Sequence, residues 1–501
     1  LTTMKRALSL ALLGCAWSAA PNLAHAGFNQ AMCSATGWDT AVPMDLGARQ
    51  FIRQSIYPAA GSAPDMTLYN HNVDNEWPLV TNANVSLLRP YFGFFVTELN
   101  YDKLTVFDGS ATYTYTGSLN TSTTPLAAAQ NWSLANRAIS TRWVADFSVA
   151  NQLPPSFSQV TPRCKSTQTA SVPPSLAIGS NRRIDGLLIK TGDTIYFNVV
   201  QDSRPFVITL DGLSTTSGAD FDLYVSATNT APDDSSYDFR GFTTGSNEAL
   251  LIPASGVNRT LYIGVHSYSG AGHFALNAAS TYSTLSSVCA TDPTLSSRVT
   301  LTAAERATLQ ANLRAASSYL FASTNGMWFR SVYQLNTTWT GACTSANGCD
   351  ICVVNDSVGG TTARSIPGTP CGFTEYHGGD WRAGAAGGWV LAHESGHSCL
   401  GLGDRYQNNP TLANYGMRYD GHTLMANNAL APGYAALGSC LDGQGFGSDC
   451  TTLTTKEWTH LKSWMGTLYR GPDLSAGDKT QAAATSMYNA QLQSLVTTIG
   501  F

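Results

Sequence analysis

The chain has 501 residues, 43% hydrophobic and 12% charged, with 28 basic against 33 acidic side chains and a formal net charge of -5. At roughly 150 residues per domain this is enough for about three cores, and the 10% aromatic content argues against disorder. A mildly acidic chain lacks the basic face that a nucleic-acid binder needs. No apolar run reaches the roughly 18 residues that would span a bilayer as a helix.

At the N-terminus, Met4-Lys5-Arg6 is a basic segment, residues 7–14 are apolar, and Ala24-His25-Ala26 has the small-residue form of a cleavage site. Residues 1–26 are therefore expected to be a signal peptide and the mature chain to be secreted. Leu12-Leu13-Gly14-Cys15 resembles a bacterial lipobox, so lipid anchoring at Cys15 is the alternative. Of 11 cysteines, removal of Cys15 leaves an even number, which suits an oxidising compartment. Cys33 and Cys164 flank the first segment and are expected to pair. Cys440 and Cys450 bracket a glycine-rich loop and are a second expected pair. The pairing of Cys289, Cys343, Cys349, Cys352, Cys371 and Cys399 is left open. Cys349-Asp350-Ile351-Cys352 has C-x-x-C spacing, but with no second such pair it reads as disulfide cysteines rather than as a zinc or redox motif.

Residues 27–165 alternate apolar and polar positions between turn clusters, the pattern of an all-β unit. Tyr101-Asp102-Lys103-Leu104-Thr105-Val106-Phe107-Asp108-Gly109 and Ala145-Asp146 resemble two hallmark strands of the CUB domain, a β-sandwich, with Ala145 standing where that family has Ser. Some CUB domains bind calcium, and the resemblance puts the matching carboxylates at Glu98, Asp102 and Asp146. Solvated turn acids are the plain alternative.

A Pro/Ser-rich linker at 171–175 opens a second segment, residues 166–288, with strand signals at 194–200, 220–225 and 261–265. The run DFDLYV at 220–225, then Ser246-Asn247-Glu248, and Tyr262 through His273-Phe274 resemble the bacterial pre-peptidase C-terminal domain, a small jelly-roll that accompanies secreted proteases. Here it would precede the catalytic candidate. His266 and His273 read as strand-filling histidines rather than as ligands.

Residues 289–501 change character. Thr302-Ala303-Ala304-Glu305 is a capping box that predicts a helix with Leu309, Leu313, Ala316 and Leu320 on one face. Strands are predicted at 327–335 and near 351–354, and a second helix at 389–400. That helix contains His393-Glu394-Ser395-Gly396-His397, the H-E-x-x-H pattern. On a helix, positions i and i+4 share one face, so both imidazoles can reach one Zn²⁺, and the intervening Glu394 is placed as general base for a water that the metal activates. A catalytic zinc site needs a third protein ligand. Gly401 can take the left-handed conformation that ends a helix and turns the chain back, which makes Asp404 the nearest candidate. His422 competes, with His377 and Asp420 behind it.

The extended pattern H-E-x-x-H-x-x-x-G-x-x-D, running to Asp404, resembles a metzincin zinc signature, in particular the bacterial IgA-peptidase-type proteases and the metallohydrolase domain of the calcium-activated chloride channel regulators. In those the motif continues D-E-Y; here it reads Asp404-Arg405-Tyr406. The resemblance implies a methionine turn beneath the metal, at Met425.

The expected fold is multidomain: two all-β sandwich modules, CUB-like and then jelly-roll, followed by an α/β metzincin-like zinc protease domain at 289–501. The expected function is that of a secreted zinc metalloendopeptidase acting on protein or glycoprotein substrates, with zinc held by His393, His397 and Asp404, Glu394 as base, and calcium as a further cofactor of the first module. Two rivals are an exported adhesin with a vestigial zinc domain and a zinc hydrolase of cell-wall amides.

Overall fold

The computed structural model describes residues 42–43, 73–82, 85–92, 97–117, 132–133, 138–146, 157–164, 175–177, 182–282, 285–324, 326, 328–357, 364–368, 371–382, 385–401 and 490–501. The expected signal peptide and Cys15, Cys33, Asp404, His422, Met425, Cys440 and Cys450 lie outside them, and of Cys164 the backbone alone is described. The described residues are mostly β-sheet, with few helices.

In the first segment the strand Lys103–Phe107 lies between Thr112–Tyr115 and Ala138–Ala145, antiparallel to both. Its alternation is visible in burial: Leu104 and Val106 are buried while Lys103 and Phe107 are exposed. A second sheet carries, in order, Val42–Pro43, Phe157–Cys164, Val85–Phe92 and Trp132–Ser133.

The second segment buries one continuous core in which Phe197, Phe221 and Phe274 meet edge to face. One of its two sheets continues into the first segment. Val73–Thr81 pairs in parallel with Arg182–Leu188, with Leu79 opposite Asp185 and Thr81 opposite Leu187. Strands of both segments thereby form a single eight-stranded sheet. Sequence alternation reports which face of a strand is buried and says nothing of which edges meet, so this joint was not visible in the pattern.

The third unit is α/β. Its sheet runs Arg364–Ile366, Phe373–Tyr376, Ile351–Val354, Leu285–Thr291, Val332–Leu335, Thr497–Ile499. Every neighbouring pair is parallel except the edge strand Arg364–Ile366, which is antiparallel to Phe373–Tyr376. Because Leu285–Thr291 is one strand, the boundary expected at residue 288 falls inside it. The strand expected at 327–335 is shorter, Val332–Leu335, because Trp328 instead bridges to Tyr282 and stacks on its ring.

The capping box forms as expected. The Thr302 N–H and Oγ1–H both donate to Glu305 Oε2 (2.8 and 2.9 Å), and the Glu305 N–H donates back to Thr302 Oγ1 (3.2 Å). It opens the helix Ala303–Ser323, whose Leu309, Leu313, Ala316 and Leu320 are all fully buried. Their core also takes in Val207 and Ala249 of the second segment. The open cysteine pairing resolves as Cys289–Cys349, Cys343–Cys352 and Cys371–Cys399. Cys349 and Cys352 thus belong to different disulfides, and with Trp339 and Phe373 they form a small buried cluster.

Candidate metal centre

The H-E-x-x-H motif sits in the helix Ala385–Leu400. This helix begins four residues before the predicted start, because Gly387 and Gly388, poor helix formers in a propensity reading, are helical here. A Cβ on Gly388 would lie 2.5 Å from the Ala315 Cβ, and one on Gly387 would lie 2.6 Å from the Asn312 side chain and 2.8 Å from the Tyr376 hydroxyl. The glycine pair is what lets the motif helix approach the capped helix so closely. Burial, reinforced by nearby Asp380, pushes the Tyr376 phenol well above its ordinary range, so it stays un-ionised beneath this contact.

At the other end, Gly401 has φ 63° and its N–H donates to the His397 carbonyl at 3.1 Å, the left-handed terminator that the sequence implied. The Cys371–Cys399 disulfide and the N–H groups of Gly368 and Gly372, both donating to the Ser398 carbonyl, tie this last turn to the sheet edge.

On the face so presented, His393, Glu394 and His397 bring one ligand atom each to within 4.8 Å of one another. The two imidazoles stand edge to face, centroids 4.9 Å apart, and Trp389 lies 5.3 Å from the His393 ring. His393 and Glu394 are buried, while His397 is half-buried. Two imidazole nitrogens this close, one helical turn apart, fit the donor set of a zinc ion, which takes His nitrogen at about 2.0–2.1 Å. His377, weighed as a distant third ligand, is occupied elsewhere: its Nδ1 lies 2.7 Å from Asp356 Oδ2 and its Nε2 3.8 Å from Glu375 Oε2.

One contact had no signal in the sequence. Ser365, on the antiparallel edge strand, has its Oγ 2.9 Å from Glu394 Oε2 and 2.8 Å from the Glu394 carbonyl. A lone serine 29 positions before the motif marks nothing until the strand is folded against the helix.

A second cluster lies in the first module. Glu98, Asp102 and Asp146 bring carboxylate oxygens to within 4.8 Å of one another, with Asp102 buried. The Asp102 N–H donates to the Glu98 carbonyl at 3.1 Å, and the Asp146 N–H donates to Asp102 Oδ1 at 2.9 Å.

No family model matches the chain, and no curated protein matches it. Solved structures similar to parts of it include the pre-peptidase C-terminal domain of collagenase from Bacillus anthracis, at 18% identity over 22% of this chain and 99% of that one, with a TM-score of 0.17. The CUB1-EGF-CUB2 domains of human MASP-1/3 align at 13% identity over 43% of this chain and 97% of theirs, TM-score 0.17. The periplasmic lysozyme inhibitor PliG of Aeromonas hydrophila aligns at 15% identity over 21% of this chain and 97% of its own, TM-score 0.16. They include the two module types that the first two segments resemble in sequence, and each likeness is partial. Among the described residues no helix is long and apolar enough to cross a membrane. The three disulfides fit an extracellular protein.

Proposed function

We propose that the chain is an exported zinc metalloendopeptidase. The observation that carries the reading is the triplet of buried His393 and Glu394 with half-buried His397, their ligand atoms within 4.8 Å, on a helix packed under an antiparallel edge strand. His393 and His397 would hold the metal, with Asp404 as the third ligand on the sequence argument. Zinc, when bound there, supplies a Lewis acid that polarises a peptide carbonyl and makes water more acidic. Glu394, whose Oε2 accepts from Ser365, keeps its other carboxylate oxygen to take a proton from the attacking water and pass it to the departing amine. Among the described residues the strand beside this base is the outermost of its sheet, and the main-chain groups of such an edge can pair with an extended polypeptide, which favours a protein substrate. The reading extends to calcium at Glu98, Asp102 and Asp146, an all-oxygen donor set of the kind calcium takes.

The test is cleavage of a panel of unfolded and native proteins and of peptidoglycan by mature protein, with and without chelator, alongside Glu394→Ala. The expected result is chelator-sensitive protein cleavage that Glu394→Ala reduces by roughly 10²–10⁴-fold while zinc stays bound. Cleavage that survives both the chelator and Glu394→Ala overturns the reading. Solubilisation of peptidoglycan alone would move it to cell-wall amides, and binding without turnover to an adhesin.

A further inference from the structure

A base in a buried site must be held in one orientation. Glutamate has three rotatable side-chain bonds, and a displacement of about 1 Å at a reacting group can cost roughly a hundredfold in rate. The motif helix fixes the Glu394 Cα but not its carboxylate.

Ser365 is positioned to do that. It pairs with Thr374 across the edge strand and its neighbour, and both side chains meet the motif helix. The Ser365 Oγ lies near three acceptors: Glu394 Oε2 at 2.9 Å, the Glu394 carbonyl at 2.8 Å and Thr374 Oγ1 at 3.3 Å. Thr374 donates its own hydroxyl hydrogen to Ser398 Oγ at 2.9 Å and so has none left for Ser365. The single Ser365 hydrogen goes where the bond is strongest, and a hydrogen bond to an ionised carboxylate is about twice as strong as one to a neutral carbonyl.

We propose that Ser365 is a positioning residue for the general base: its hydroxyl pins Glu394 Oε2 and leaves the opposite oxygen to handle the proton. The inference rests on the metallopeptidase reading for its rate consequence and on the Ser365–Glu394 contact for its structural one. The edge strand thereby serves the chemistry through a side chain as well as through its backbone. A purely structural tie between strand and helix would work through the Glu394 carbonyl and would leave the carboxylate where it is.

Two measurements on full-length mature protein separate these roles. In steady-state kinetics on a cleaved protein, Ser365→Ala is expected to lower kcat about tenfold, or about 1.4 kcal/mol. KM and zinc content should stay within about twofold, and Ser365→Thr, which keeps the hydroxyl and suits a strand, should restore most of the rate. In crystal structures of the zinc-loaded proteins, the Glu394 carboxylate should be single and Ser365-bound in the wild type but displaced or multiple in Ser365→Ala. An unchanged kcat, or a Glu394 carboxylate that stays single and unmoved in Ser365→Ala, overturns the proposal. If the wild type cleaves nothing, the peptidase reading fails, and the position of the Glu394 carboxylate still decides whether Ser365 holds it.

Discussion

Gly388→Ala adds one methyl group at the place where the motif helix crosses the capped helix. Its Cβ would stand 2.5 Å from Ala315 Cβ, 3.1 Å from the Asn312 carbonyl oxygen and 3.4 Å from the Ala316 nitrogen. Carbon atoms settle at about 3.5–4.0 Å, so the two helices must part by about 1 Å. None of the three neighbours is the end of a flexible chain that could swing aside. Overpacking of this kind costs about 1–3 kcal/mol, and the better helix propensity of alanine returns about 1 kcal/mol. The net is a loss of about 0–2 kcal/mol, read by calorimetry as a fall in Tm of several degrees at most. The effect on activity should be larger than the effect on stability, because Gly388 is on the same rigid helix as His393 and Glu394. A shift of about 1 Å relative to Ser365 and the edge strand corresponds to a loss in kcat of up to roughly a hundredfold. Ala315→Gly in the same chain removes the worst contact and should recover much of the rate, though not the Tm, since it puts a glycine into the capped helix. If Gly388→Ala melts higher than wild type and cleaves as fast, the two helices are not in the contact described and the reasoning fails.

Two further outcomes are expected. Asp404→Ala should lower zinc occupancy, measured by metal analysis after dialysis, and abolish cleavage, whereas His422→Ala should keep its metal; the reverse pattern would reject Asp404 as third ligand. Stability should also fall as pH rises from 5 to 8. Burial raises the Asp193 carboxyl from 3.8 to about 7, and burial also raises Glu248 from 4.5 to about 7. A carboxyl whose folded pKa lies above its unfolded value stabilises fully below the unfolded value, and that contribution is lost as pH climbs through the folded one. At about 1.36 kcal/mol per pH unit, the two units from pH 5 to about 7 make Asp193 alone account for up to about 3 kcal/mol in this window. Urea denaturation of Asp193→Asn should show a flatter pH profile than wild type, and an equally steep one would show that Asp193 does not titrate in this window.

Much of the site could be read from the chain because its information is local. The two imidazoles and Glu394 share a helix face through spacing alone, Gly401 marks the end of that helix, and Thr302 with Glu305 marks the start of another. These features involve residues a few positions apart, where backbone geometry leaves one arrangement. The alternation that revealed the strand Lys103–Phe107 is local in the same sense. Tertiary structure alone decided what depends on contacts between distant segments. It chose three disulfides among six cysteines, joined strands of the first two segments into one sheet, and carried the third unit's first strand back to Leu285. It likewise set Ser365 against Glu394, and gathered Glu98, Asp102 and Asp146, which stand 48 positions apart at the extremes. Pairing of this kind follows from which edges and faces remain to be covered once local elements form, and it is settled by packing across the whole chain rather than by the residues on either side.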